Sequence, residues 1–374
     1  MDKLFSKIYG CEAACAIGNS MGDVTEDFTW EEIEAKWGFV DSLLPQKKWN
    51  EREEKLEGKF RKMEFGYDFI YHAHERKPGC TEDGHERHRL LTNAILKKGG
   101  RITVSDLART WLDDIKPENF GYLMGPQDQV IYYSLKAGVP PWEAGRYATY
   151  PSFIGTSKMI LPIGCINACN PAQAAADAYD LGRIKDVRGQ RFNYSLEICS
   201  GFAAACAEAF KPEATVTSII DTCLSYLSIE AREEVQIQLD WAEKLKDWKK
   251  LRPLVHEKYR GRPISNAVEV CGGALALFYL ADGNPKDAIL YSVNFGRDTD
   301  CKAYFAGGLA AALQGVEKIP AEWVKTIEEE VVTNPWTVCT LSAREVAEGL
   351  YKAALNTAKE MQGVVKAIDQ ITAK

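Results

Sequence analysis

The stretch that decides the fold is residues 294–315, NFGRDTDCKAYFAGGLAAALQG. From Cys301 onward it is rich in alanine and contains no β-branched residue, a composition that favours an α-helix. Small side chains over most of its surface let neighbouring helices approach closely on more than one face. We therefore predict a helix at the centre of the molecule that ends at Gly315.

Helical patterns continue on both sides of this stretch. Alternating β-branched windows are scarce, whereas alanine-rich apolar runs recur at residues 174–182, 202–210 and 267–280. Asn170 and Asn284, each followed by proline, and Pro320 provide start signals ahead of helical runs. The sequence therefore predicts an all-α fold.

The sequence also predicts how the chain is divided. No Ser/Gly-rich or charge-block linker interrupts it, so we expect a single domain over residues 1–374. Residues 232–261 form the one long polar stretch, and their amphipathic pattern predicts a single helix that ends at Gly261.

Composition excludes several classes of protein. The chain has 374 residues, 46% hydrophobic and 26% charged, which is typical of a globular protein rather than a membrane or low-complexity one. A net charge of −7 argues against electrostatic binding of nucleic acid. The first twenty residues carry Lys7 and Glu12 and resemble neither a signal peptide nor an anchor, so we expect a cytoplasmic location without membrane contact. The oligomeric state stays open.

Four of the five histidines, His72, His74, His85 and His88, crowd one polar segment. Histidines in such a setting are more often part of a solvated surface than a set of metal ligands. We therefore expect this segment to be exposed.

Two acidic clusters carry the candidate chemistry. Thr81, Glu82 and Asp83 follow a turn and precede a helical run, where carboxylates commonly cap a helix N-terminus. Asp298 and Asp300 precede the central helix, where buried carboxylates are costly unless they are compensated. Either the neighbouring cations Arg297 and Lys302 neutralise these aspartates, or a metal ion does.

Divalent ions such as Mg²⁺ and Mn²⁺ prefer carboxylate and hydroxyl oxygens as ligands. The two clusters together offer one hydroxyl and four carboxylates, which is enough for two neighbouring ions. The residues alone leave open whether the clusters meet or merely cap separate helices.

Four motifs, in chain order, resemble the ADP-ribosylglycohydrolase family, which includes the enzyme that reactivates dinitrogenase reductase. They are residues 18–26 (GNSMGDVTE), 81–83 (TED), 161–164 (LPIG) and 296–300 (GRDTD). The resemblance runs from about residue 10 to about residue 325. It implies a compact, orthogonal helical bundle with two Mg²⁺ or Mn²⁺ ions that hydrolyses the bond at the anomeric carbon of a ribosyl group.

The resemblance implies roles for six residues. Glu26 matches a glutamate that lies near the metals and the scissile bond, and whether it activates water or assists the leaving group stays open. The metal ligands of the family match Thr81, Glu82, Asp83, Asp298 and Asp300.

Departures from the family pattern concern the substrate. Asn19 and Glu82 replace aspartates, and Cys301 stands where a hydroxyl residue is usual. In residues 153–159, FIGTSKM, one glycine remains of a loop that approaches a diphosphate in the family, so the side chains of Thr156, Ser157 and Lys158 become candidates for a phosphate. Arg297 replaces a glycine, and it either binds an anionic substrate group or balances Asp298. The candidate substrate-binding residues are Asn19, Gly155, Thr156, Ser157 and Arg297.

Three functional hypotheses follow. The first is a divalent-metal-dependent hydrolase of the glycosidic bond in an ADP-ribosyl or ribosyl compound, with a small molecule as its substrate. The second is the same centre acting on unphosphorylated nucleosides or other glycosides. The third is a non-catalytic member, as in a lens crystallin of the family, against which the retention of Asp83, Asp298 and Asp300 argues.

Overall fold

The computed structural model describes residues 2–45, 76–120, 124–147, 152–186 and 194–372. Within these ranges the chain forms α-helices, short 3₁₀ segments and isolated β-bridges, and it contains no β-strand. The predicted all-α fold class is confirmed. The α-helices are α1 (Lys3–Asp23), α2 (Trp30–Trp37), α3 (Asp83–Lys98), α4 (Val104–Asp114), α5 (Pro126–Lys136), α6 (Pro141–Ala144), α7 (Leu161–Ile166), α8 (Pro171–Gly182), α9 (Ser195–Ala209), α10 (Val216–Ser225), α11 (Ile229–Leu245), α12 (Trp248–Lys258), α13 (Ala267–Leu280), α14 (Pro285–Val293), α15 (Thr299–Gln314), α16 (Ala321–Glu330) and α17 (Ala343–Thr372).

Helices α1 and α15 pack against each other at the centre. Every residue of α15 from Thr299 to Ala312 is buried, as is every residue of α1 from Ser6 to Asp23. The contact depends on glycine, because a Cβ on Gly18 would lie 2.5 Å from the Ala303 carbonyl oxygen. The prediction of a central small-residue helix is confirmed, including its end at Gly315, whose φ of 92° suits glycine.

The start signals act as the sequence predicts. The Asn170 side chain accepts a hydrogen bond from the Gln173 backbone N–H at 3.3 Å, and Asn284 accepts from Asp287 at 3.2 Å. Pro320 directly precedes α16. These caps satisfy N–H groups that a helix leaves unpaired at its start.

The prediction of one long polar helix over residues 232–261 is wrong. The chain breaks into α11 and α12 at Lys246, which takes a left-handed conformation with φ 51°. Asp247 then caps α12 by accepting from the Lys249 N–H at 2.9 Å. Amphipathic periodicity continues through the break and conceals it. Gly261 lies three residues beyond the end of α12 at Lys258.

The prediction that the histidine segment is exposed is also wrong for the part of the segment that the structure describes. His85 and His88 on α3 are buried. The His88 ring contacts the Glu12 carboxylate and the Tyr304 hydroxyl, each at 2.7 Å, so it joins α3 to α1 and α15. His72 and His74 lie outside the described residues.

Membrane insertion finds no support among the described helices. None of them combines the length and the apolar content that a membrane span requires.

Replacing Gly22 tests the close packing of α1 on α15. A Cβ at this position would overlap the Asp300 Cα, which is backbone and cannot move without shifting α15. We expect Gly22→Ala to lower the free energy of unfolding by roughly 1–3 kcal/mol, a typical cost of overpacking, measured by urea denaturation. Gly363→Ala in α17 is the matched control, because nothing lies within 4 Å of its Cβ and the alanine favours a helix. Equal effects of the two substitutions would contradict the packing described here.

Candidate active site

Four elements bring the two acidic clusters to one place. Glu82 precedes α3 and accepts a hydrogen bond from the Gly84 N–H at 2.9 Å. Asp298 precedes α15 and accepts from the Cys301 N–H at 3.2 Å. Asn19 of α1 and the 3₁₀ segment Ile154–Met159 complete the site. Both acidic groups therefore lie at helix N-termini, where the helix dipole favours negative charge.

Lys158 lies between the two clusters. Its Nζ donates to Glu82 Oε1 at 2.6 Å and also to Asp300 Oδ2. The lysine is 3% exposed. Burial opposes its charge, but Asp300 and Glu82 raise the pKa of Lys158 well above its ordinary value, so the ammonium stays protonated. The sequence indicated Lys158 only as a phosphate ligand, because nothing local shows that it reaches two distant carboxylates.

Asn19 reinforces the same contact. Its Nδ2 donates to Glu82 and, at 3.4 Å, to Asp300 Oδ2, while its Oδ1 accepts from the Glu82 backbone N–H at 2.9 Å. The side chain is fully buried. The amide proposed for substrate binding therefore bonds to the two acidic groups themselves.

Two carboxylate oxygens at this site have no hydrogen-bond partner among the described residues. They are Asp298 Oδ2 and Asp300 Oδ1, and both residues are fully buried. One oxygen of each carboxylate and the Cys301 Sγ lie within 4.8 Å of one another. Burial and the neighbouring Asp298 raise the pKa of Asp300 to about 6. Buried carboxylate oxygens without partners are costly and are suited to a divalent cation.

Asp83 belongs to a second ionic network. Its Oδ2 lies 2.5 Å from the Arg87 guanidinium, which also bonds to Asp128 at 2.7 and 2.9 Å. Lys185 reaches Asp128 at 3.0 Å. Burial alone would raise the pKa of Asp128, but Arg87 and Lys185 hold it below its ordinary value. The i, i+4 spacing of Asp83 and Arg87 is the one local signal of this network in the sequence, and nothing local connects either residue to Asp128 or Lys185.

Thr81 and Glu26 flank the centre. Thr81 is buried, and its carbonyl oxygen accepts from Arg76 at 3.3 Å. Glu26 is half-buried in the turn after α1, where its backbone N–H donates to the Gly22 carbonyl at 2.9 Å. Because Gly22 packs on Asp300, this turn lies directly behind the start of α15.

The loop proposed for phosphate binding has internal partners. The Thr156 hydroxyl donates to Asp186, and the Ser157 hydroxyl donates to the Ser195 carbonyl at 3.4 Å. At Gly155 a Cβ would lie 3.1 Å from Lys185 Cε, so the loop also packs tightly against that lysine.

Arg297 pairs with a residue that the sequence analysis did not consider. Its guanidinium binds both oxygens of Glu269, at 2.6 and 2.8 Å, and Lys302 lies 3.8 Å from the same carboxylate. The cations expected to neutralise Asp298 and Asp300 therefore face Glu269 through their side chains. Lys302 donates to the Asp298 backbone carbonyl at 3.3 Å, whereas Lys158 donates to a side-chain carboxylate of this motif, that of Asp300.

Comparison with known proteins identifies the family. A family model described as ADP-ribosylglycohydrolase matches residues 1–360, so the chain belongs to the ADP-ribosylglycohydrolase family. A solved structure named ADP-ribosylglycohydrolase-related protein complex is similar with a TM-score of 0.63 and 15% identity, covering 95% of this chain and 100% of that one. That likeness shows the fold. No curated protein matches the chain. This is a glycohydrolase family, which supports a hydrolase as the general class of activity.

His256 supports the turn that precedes Asp298. Its Nε2 contacts the Phe295 carbonyl oxygen at 3.0 Å, and a Cβ on Gly296 would lie 2.8 Å from its ring. Burial lowers the pKa of His256 to about 3. In the unfolded chain His256 binds a proton near pH 6.5, whereas in the folded chain it stays neutral down to about pH 3. The contribution of His256 to the free energy of unfolding is therefore fully present above pH 6.5 and is lost as the pH falls toward 3.

We expect His256→Gln to remove this pH dependence. Between pH 7 and pH 4.5 the free energy of unfolding of the wild type should fall by roughly 2–3 kcal/mol more than that of the variant. Urea denaturation at both pH values measures the difference. Parallel pH profiles for the two proteins would show that His256 is not buried in its neutral form.

Proposed function

We propose that the protein hydrolyses the glycosidic bond at the anomeric carbon of a small ribosyl or ADP-ribosyl compound. One observation carries the proposal: Glu82 and Asp300, from motifs far apart in the chain, converge on one buried position. Membership in a glycohydrolase family supports this class of reaction.

We propose Asp298 and Asp300 as the ligands of a divalent cation, Mg²⁺ or Mn²⁺. Their two buried oxygens without partners support this assignment. Held there, such an ion would supply a Lewis acid for sugar hydroxyl groups and for a water molecule. The wider set of five ligands for two ions fits these residues less well, because Lys158 bonds to Glu82 and Arg87 bonds to Asp83.

The chain's own residues supply the remaining chemistry in this proposal. A glycosidic bond breaks through a transition state with positive charge on the sugar ring, and nearby carboxylates favour that charge. Glu26 is the proposed general acid or base, since it lies in the turn behind the start of α15. The buried packing of α1 against α15 keeps bulk water from the carboxylates.

One observation favours an unphosphorylated riboside as the substrate. Thr156 and Ser157 donate their hydroxyls to Asp186 and to the Ser195 carbonyl, so neither donor is free for a phosphate in this arrangement. Arg297 likewise bonds to Glu269. Recognition of a diphosphate by these side chains would require their present contacts to break.

Substituting Asp298 tests the reaction without removing the helix cap. Asparagine caps a helix as well as aspartate does, so Asp298→Asn should keep α15 intact. We expect hydrolysis to fall by at least about 100-fold, because the carboxylate charge is lost, together with weaker Mn²⁺ binding. Release of free sugar and Mn²⁺ titration measure the two effects. Asp247→Asn, the same substitution at the start of α12, is the control and should change neither.

A matched pair of substrates tests the phosphate preference. An ADP-ribosyl compound and an unphosphorylated riboside with the same leaving group are compared by the release of free leaving group. We expect the riboside to react at least as fast, because Thr156 and Ser157 already bond within the protein. A strong preference for the ADP-ribosyl compound would favour the first substrate class, and no turnover of either would favour a non-catalytic member.

A further inference from the structure

Lys158 occupies a position at which two acidic groups from different parts of the chain meet. We infer that its ammonium serves as a built-in cation in the centre, so that the site binds one divalent ion rather than two. This inference rests on the divalent site of the proposed function and specifies how many ions that site holds.

Glu82 Oε1, the oxygen that Lys158 contacts, already accepts three hydrogen bonds. Glu82 Oε1 accepts from Lys158 at 2.6 Å, from the Gly84 N–H at 2.9 Å and from Asn19. A carboxylate oxygen has two lone pairs, and three donors leave none for a metal ion. An ion at this oxygen would have to displace the lysine.

The surrounding structure accommodates the lysine specifically. A Cβ on Gly84 would overlap the Lys158 side chain at Cδ, Cε and Nζ. Glycine at this position therefore provides the space through which the lysine reaches the carboxylates. The side chain is 4% exposed, so it is not a surface lysine that reaches the centre by chance.

The charges of the centre are consistent with one divalent ion. Glu82, Asp298 and Asp300 are three carboxylates, and Lys158 is the one ammonium that contacts two of them. Two negative charges then remain on these carboxylates, and one divalent ion carries the charge that balances them. Arg297 and Lys302 share one carboxylate, that of Glu269, so a further positive charge lies beside Asp298 and opposes a second divalent ion. The neighbouring network is balanced separately, because it pairs two carboxylates with two cations: Asp83 and Asp128 with Arg87 and Lys185.

The oxygens without partners indicate where that ion binds. Asp300 Oδ2 accepts a hydrogen bond from Lys158. Asp300 Oδ1 and Asp298 Oδ2 have no hydrogen-bond partner among the described residues. Asp300 would therefore hold the proposed ion as well as the Lys158 ammonium. Asn19, a neutral amide, bonds to both carboxylates that Lys158 contacts and adds no charge.

Counting bound ions tests the inference. Titration of the full chain with Mn²⁺, with free Mn²⁺ measured by electron paramagnetic resonance, should give one ion per wild-type chain. Lys158→Ala removes the ammonium and opens space beside Glu82, and we expect it to bind a second Mn²⁺. Lys7→Met, which removes another buried ammonium that donates to the Ala209 carbonyl at 2.7 Å, is the matched control and should still bind one. Two ions in the wild type, none in the wild type, or an unchanged count in Lys158→Ala would overturn the inference.

Thermal unfolding covers the case in which Lys158→Ala folds poorly without metal. Removing the lysine leaves buried carboxylates uncompensated, and a second ion should compensate them. We expect saturating Mn²⁺ to raise the Tm of Lys158→Ala more than that of the wild type, and an equal rise would contradict the exchange of lysine for metal. The substrate assays are separate: a wild type that binds one ion and cleaves no glycoside would refute the proposed function and leave the ion count standing.

Discussion

The structure of the site depends on a positive charge that compensates two carboxylates buried close together. Glu82 precedes α3 and Asp300 lies in α15, and each would destabilise the fold if it were left alone in the interior. Lys158 meets this requirement for both at once, and Asn19 adds hydrogen bonds to the same pair. The starts of α3 and α15 are thereby held at a fixed separation, which any chemistry at this position requires.

The backbone packing makes this arrangement possible. Gly22 lets α1 approach α15 so closely that Asp300 is placed at the edge of the contact. His88 then joins Glu12 of α1 to Tyr304 of α15 through two hydrogen bonds. The polar centre is therefore supported by a rigid helical core, in which side chains cannot easily move away from one another.

The sequence predicted the features that local pattern determines. Alanine and glycine content indicated α15, and Asn170 and Asn284 marked helix starts, because a cap bonds within three residues of its own position. The break at Lys246, followed by the Asp247 cap, was missed because hydrophobic periodicity runs through it. Local pattern is therefore sufficient for elements and their ends, except where a cap lies inside a continuous amphipathic repeat.

The sequence did not predict which charged residues pair with each other when they lie far apart in the chain. Proximity in the chain suggested that Arg297 and Lys302 compensate Asp298 and Asp300, but their side chains face Glu269, which lies on α13.

The cation that reaches Asp300 comes instead from residue 158, and no spacing rule connects it to Glu82. A buried charge is compensated by whichever opposite charge the fold brings within reach. Charge balance in this centre is consequently a property of the tertiary structure. The number of metal ions that the centre can hold therefore follows from that balance as well as from a count of its carboxylates.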